Sequence, residues 1–156
     1  MMEFHLAQIN IAKMLAPADS PVMAEFMDNL DRINAIADQS EGFVWRLQEE
    51  AGNATSVRVY NDDFILVNMS VWTNADTLHQ FTYQTAHSDI MRKRRQWFEK
   101  MQQMHMVLWY IPAGTTPSVE EAVARLDHVR QHGDTPYAFG FRSRFTPEQA
   151  REYINA

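Results

Sequence analysis

The run Phe64–Trp72, FILVNMSVW, constrains this chain most. Read with a period of two, it is the clearest strand in the sequence, and its two faces differ. Ile65, Val67, Met69 and Val71 make one face wholly apolar. Leu66, Asn68, Ser70 and Trp72 mix two polar groups with a large indole on the other. Burying the first face leaves the second toward solvent or toward a polar-lined cavity. A solvent-exposed Trp beside Leu is wasteful in a soluble monomer, so a cavity or a subunit interface is favoured. A buried Asn amide needs partners, which are either neighbouring side chains or a ligand oxygen.

The other elements intersperse strands and helices with short connections. Phe4–Ala12 reads as a strand with His5, Ala7, Ile9 and Ile11 on one face and Phe4, Leu6, Gln8 and Asn10 on the other. Ser20 then stands as an N-cap with Pro21 at the first helical position, followed by Val22, Phe26, Leu30, Ile33 and Ala37 at helical spacing. Phe43–Gln48 is a second strand and Thr55–Tyr60 a possible short one. Thr73, with Asp76 three residues on, caps a short helix, and His87–Met101 is a third helix. Met104–Ile111 is a strand. Ser118 and Glu121 form a capping box for a fourth helix that Gly133 ends. Tyr137, Phe139 and Phe141 alternate as a last strand, and Thr146-Pro147 opens a terminal helix. The pattern predicts a single α+β domain over residues 1–142, an antiparallel sheet with helices on one face, and a C-terminal extension over 143–156.

Composition bounds the function classes. A chain of 156 residues buries roughly two-thirds of its unfolded surface, enough for a core and an internal pocket. There is no cysteine, which excludes disulfides, thiolate metal sites and cysteine nucleophiles and fits a reducing, cytoplasmic setting. Met1–Asn10 has no basic region of the kind that opens a signal peptide, and no apolar run approaches a membrane span. A net charge of −6 argues against a broad grip on nucleic acid. Ten methionines suit a malleable apolar cavity, although Met is also a generic gap-filler.

The third helix carries the second functional clue. On a helical wheel Ile90, Met91, Trp97, Phe98 and Met101 share one arc, and His87 and Arg94 fall inside it. A guanidinium on an apolar face must snorkel, pair with a carboxylate or meet an anionic ligand. His87 moves a proton near neutral pH or serves as a core histidine. His128 and His132 are four apart, but no glutamate follows His128 and no third ligand is evident, so a solvated face is the reading and no metal site is expected. Five unclustered glycines supply no phosphate loop, and no G-x-S-x-G elbow is present.

The order strand, helix, two strands, helix, closing strand resembles the ferredoxin-like half of the dimeric α/β-barrel superfamily. The stretch ILVNMSVWTNADTLHQFTYQTAHSDI resembles the antibiotic biosynthesis monooxygenase family, with an apolar strand ending in Trp, a short helix, then a histidine. Residues 3–142, with RQWF in the third helix, are also similar to an uncharacterised bacterial family of that superfamily. The resemblance implies a homodimer and a cofactor-independent oxidation of a small aromatic or polyketide-like molecule. Asn68 and Trp72 match the Asn four residues before the strand-ending Trp. Spacing from Trp72 points to Arg92 as the helix arginine, whereas the wheel prefers Arg94. Asn10 matches a first-strand Asn, and Tyr83 is the nearest option for a tyrosine that is otherwise unmatched. The helix from Ser118 to Gln131 is absent from the minimal family pattern.

Under that resemblance Asn68, Trp72 and Arg94 hold a phenolic substrate as its anion, His87 relays a proton, and Asn10, Ser70, Tyr83, Arg92 and Trp97 line the substrate site. The competing enzyme reading is a haem-using member with His87 or His105 as axial ligand. The non-enzyme reading is a small-ligand binder or sensor that uses the same cavity.

Overall fold

The structure is a computed structural model that describes residues 3–48, 59–84 and 90–155. Strand β1 (Phe4–Lys13) leads through a 3-10 turn (Pro21–Met23) into helix α1 (Ala24–Asp38). Strands β2 (Phe43–Arg46) and β3 (Ile65–Trp72) follow, then helix α2 (Ala75–Gln84), strand β4 (Met106–Pro112), helix α3 (Val119–His132) and helix α4 (Pro147–Asn155). The four strands form one antiparallel sheet in the order β2-β3-β1-β4. With α1 after β1 and α2 after β3, this is the split β-α-β topology of the ferredoxin-like fold.

The register places the polar positions. Pairing of β1 with β3 sets Asn10 opposite Asn68, Gln8 opposite Ser70 and Leu6 opposite Trp72. These even-numbered residues therefore share one face of the sheet, because successive side chains alternate. The odd-numbered face is a dry apolar layer: Ala7, Ile9, Val71, Val107 and Trp109 are fully buried. Helix α3 covers it with Ala122, Leu126 and Val129, which recur at helical spacing and join the same cluster. Each large apolar side chain in this layer contributes about 1.5–3 kcal/mol by leaving water. Helix α3 of the same chain thus keeps this face out of water.

Local chemistry sets the ends of the helices. The Ser118 hydroxyl accepts the Glu121 amide at 3.1 Å, and Gly133, at φ 78°, closes α3. Thr146 and Gln149 cap α4 reciprocally, at 2.8 and 3.2 Å. Ala150 is buried, and Tyr110 donates to the Phe145 carbonyl at 2.8 Å, so α4 docks on β4. The cap of α2 is Asn74, whose side chain accepts the Thr77 amide at 2.9 Å, and not Thr73, whose own amide is used by the Gly42 carbonyl. Ser20 makes no side-chain cap, since the chain enters α1 through the 3-10 turn.

Two expected elements differ. The third helix does not run to Met101: residues 90–92 are helical, Arg94–Gln96 is a 3-10 turn, and Phe98 bridges to Met14. The Trp97 carbonyl accepts from the Leu15 amide, and the Glu99 amide donates to the Lys13 carbonyl. The chain thus leaves the helix to pair with the end of β1 and to bury Trp97 and Phe98 against Phe26 and Met23. The strand expected at Tyr137–Phe141 is a single bridge between Phe139 and Leu108. The candidate strand over 55–60 lies outside the described residues apart from Val59 and Tyr60, which enter a turn closed by a Val59–Asp62 bridge. No helix among the described residues is long and apolar enough to cross a membrane.

Candidate functional site

Between the even face of the sheet and α1, α2 and residues 90–98 lies a cavity of about 680 Å³, within the range of small-molecule sites. Its walls are mainly apolar: Leu30 and Ile33 from α1, Leu78 and Phe81 from α2, Ile90, Trp97 and Phe98 beyond. Trp72 stiffens one end, stacked on Phe81 at 5.1 Å and edge-on to Phe43 at 5.6 Å.

The floor is an ordered array of amides and hydroxyls. Gln8 Nε2 donates to Asn68 Oδ1 at 2.7 Å and to Ser70 Oγ at 2.8 Å. Asn10 Nδ2 donates to Gln8 Oε1 at 3.0 Å and to Asn68 Oδ1 at 3.1 Å. Trp72 Nε1 donates to Ser70 Oγ at 2.8 Å. Two donors on Asn68 Oδ1 determine which way that amide faces. Its Nδ2 group, with two hydrogens, is then left for the cavity. Ser70 accepts twice, so its hydroxyl hydrogen is also available to donate. Gln8 and Ser70 are buried, while Asn68 is open to the cavity. The floor therefore offers donors to an acceptor such as a carbonyl, phenolate or enolate oxygen.

At the mouth stand Arg94 and His105, with Asp134 and Arg142 on the rim. Burial, helped by the neighbouring Arg95, holds the Arg94 guanidinium below its usual value. No carboxylate pairs with it among the described residues. Burial also pushes His105 down, and the Arg94, Arg130 and Arg95 charges push the same way, against a hydrogen bond to the Gln103 backbone. His105 is thus a neutral imidazole near pH 7. By contrast Arg46, which also reaches the cavity, is tied to Asp38 at 2.8 Å.

The residues singled out from sequence distribute as follows. Asn10, Asn68, Ser70, Trp72, Tyr83, Arg94 and Trp97 all line this cavity. Trp72 turns its N–H onto Ser70 rather than toward a ligand. Tyr83 sits on the rim, half exposed and packed on His79 and Phe141. Arg92 is exposed and does not line the cavity. His87 lies outside the described residues. Gln8, the hub of the floor, was not singled out; its signal was a polar residue two before Asn10 on the same face of an otherwise apolar strand. His105 entered only as a haem-ligand alternative. His128 bonds Thr135 at 2.9 Å and packs at a tilt against His132 and Tyr137, and no group of three side chains able to hold a metal ion exists among the described residues.

Fold and site together define a ferredoxin-like α+β domain with a cavity between its sheet and helices. The chain belongs to the DUF3291 family, described as a domain of unknown function, which matches residues 5–155. No curated protein matches it. Among solved structures it is similar to SnoaB, a cofactor-independent oxygenase from Streptomyces nogalater, at 16% identity and a TM-score of 0.44 over 74% of this chain and 96% of that one. It is also similar to NE2512, a protein of unknown function from Nitrosomonas europaea (10% identity, TM-score 0.46, 76% and 99% coverage), and to PA3566 from Pseudomonas aeruginosa (11%, 0.46, 75% and 99%).

Proposed function

We propose that this protein is a monooxygenase-like enzyme that oxidises a small aromatic or polyketide-like molecule with dioxygen and without a cofactor. The observation that carries the reading is the cross-braced floor, in which Gln8 and Asn10 hold Asn68 so that its amide hydrogens face a mainly apolar cavity. Such a floor is preorganised for an oxygen that becomes anionic, and it loses little energy to reorganisation when the charge appears. The chemistry balances: a substrate methylene and one dioxygen give a carbonyl and one water. An acidic C–H proton passes to a base, and the neutral imidazole of His105 supplies one at the mouth. The resulting enolate or phenolate oxygen rests on Asn68 and Ser70 while its carbanionic carbon gives an electron to dioxygen. The two radicals combine into a peroxide, which takes up the proton and loses water. One oxygen atom ends in the product and the other in water.

The test is oxygen uptake with a panel of hydroxynaphthalenes and anthrone, comparing wild type with Asn68→Ala. Loss of a single anion-stabilising donor is expected to lower kcat by roughly 10²–10³. Full turnover in Asn68→Ala would refute the site, and thermal stabilisation by the panel without oxygen uptake would make the protein a binder. A haemin titration is the control, because His105 lines the cavity. Saturable one-to-one binding that is lost in His105→Ala would replace the cofactor-free reading with the haem reading.

A further inference from the structure

Arg94 is the feature that the oxidation chemistry alone does not require. A transient enolate is served by the dipoles of Asn68 and Ser70. A guanidinium, by contrast, is a permanent full charge, and half-buried Arg94 loses part of its hydration, which is unfavourable unless an anion meets it. No side chain among the described residues does so. The surrounding charges reinforce the imbalance: Arg95 acts on Arg94, Arg95 and Arg130 both act on neutral His105 beside it, and Arg142 also lines the cavity. Asp134, the carboxylate in the cavity lining, accepts the Ser143 hydroxyl at 2.6 Å and forms no ion pair with Arg94. This cationic mouth belongs to a chain whose net charge is −6, so it does not reflect the overall composition.

The geometry points to a substrate that carries a permanent carboxylate, anchored on Arg94 with its aromatic body among the apolar walls of the cavity. This inference rests on the proposed function and names its substrate class. One planar fork of donors matches one carboxylate in a bidentate pair. His105 lines the same cavity as a neutral base, held there first by burial and then by the guanidinium charges around it.

The experiment compares 2-naphthoate with 2-naphthamide, which share shape and differ in charge, by calorimetric titration of the wild-type protein. The acid is expected to bind about tenfold or more tightly than the amide. In Arg94→Gln the acid-to-amide ratio is expected to fall to about one. In Arg94→Lys, which retains the charge and loses the fork, part of the preference remains. Circular dichroism verifies that both variants are folded. If the amide binds and the acid has no advantage, or if the advantage survives Arg94→Gln, the anchor is wrong and the cavity reading stands. If neither probe binds, the cavity reading itself fails and the anchor falls with it.

Discussion

Replacing Gln8 with Leu tests the floor of the cavity most directly. The Gln8 side chain makes three hydrogen bonds, to Asn68, Ser70 and Asn10, at 2.7, 2.8 and 3.0 Å, and it is only 3% exposed. Each such neutral bond contributes about 0.5–1.5 kcal/mol net. Leu has nearly the same volume and gains some apolar burial, which offsets part of the loss. The partners also keep one bond each: Asn68 Oδ1 retains Asn10, Asn10 Nδ2 retains Asn68, and Ser70 Oγ retains Trp72. A cost of about 2 kcal/mol follows. The sharper quantity is the coupling to Asn68. Asn68→Ala removes the Gln8–Asn68 bond on its own, so in the Gln8→Leu background it should cost about 1 kcal/mol less than in wild type. Urea unfolding of the four proteins, followed by far-ultraviolet circular dichroism and checked for equal m-values, measures this. Additive losses, within about 0.3 kcal/mol, would refute the claim that Gln8 orients Asn68.

Two further outcomes follow from other parts of the fold. Gly42 stands at φ 82°, and a β-carbon there would overlap the Thr77 side chain, whereas Gly114, at φ 86°, has open space around it. Gly114→Ala should therefore cost about 1–2 kcal/mol for the left-handed backbone alone, and Gly42→Ala about 1–3 kcal/mol more in chemical denaturation; equal losses would remove Thr77 from the argument. His105 binds its proton less readily folded than unfolded, so its contribution is fully present above 6.5 and is lost as pH falls through its lowered folded value. Because His128 shifts in the same direction, the measure is the difference between wild type and His105→Gln. That difference should shrink on acidification, and parallel stability-against-pH curves would contradict it.

How far the sequence reached depends on the range of the forces involved. Alternation along residues 64–72 identified β3 and sorted its faces, because a strand buried on one side must segregate its side chains. The strand-helix order carried the ferredoxin-like topology. The caps at Ser118 and Thr146 were legible because they involve only a few residues of chain. The candidate set Asn10, Asn68, Ser70 and Trp72 was also within reach, since strand parity alone puts each on a definite face. What parity could not supply was register. Only the pairing of β1 with β3 sets Asn10 opposite Asn68 and Gln8 opposite Ser70, and from that comes the hub role of Gln8 and the diversion of the Trp72 N–H to Ser70. The helical wheel brought Arg94 to the apolar side on the assumption of a continuous helix. The backbone instead breaks there, because Trp97 and Phe98 are drawn to the end of β1, and Arg94 reaches the cavity from the turn that results. Local pattern determined which elements form and which faces are apolar. Contacts between residues some sixty positions apart in the chain decided which polar groups are consumed by the fold and which remain for a ligand.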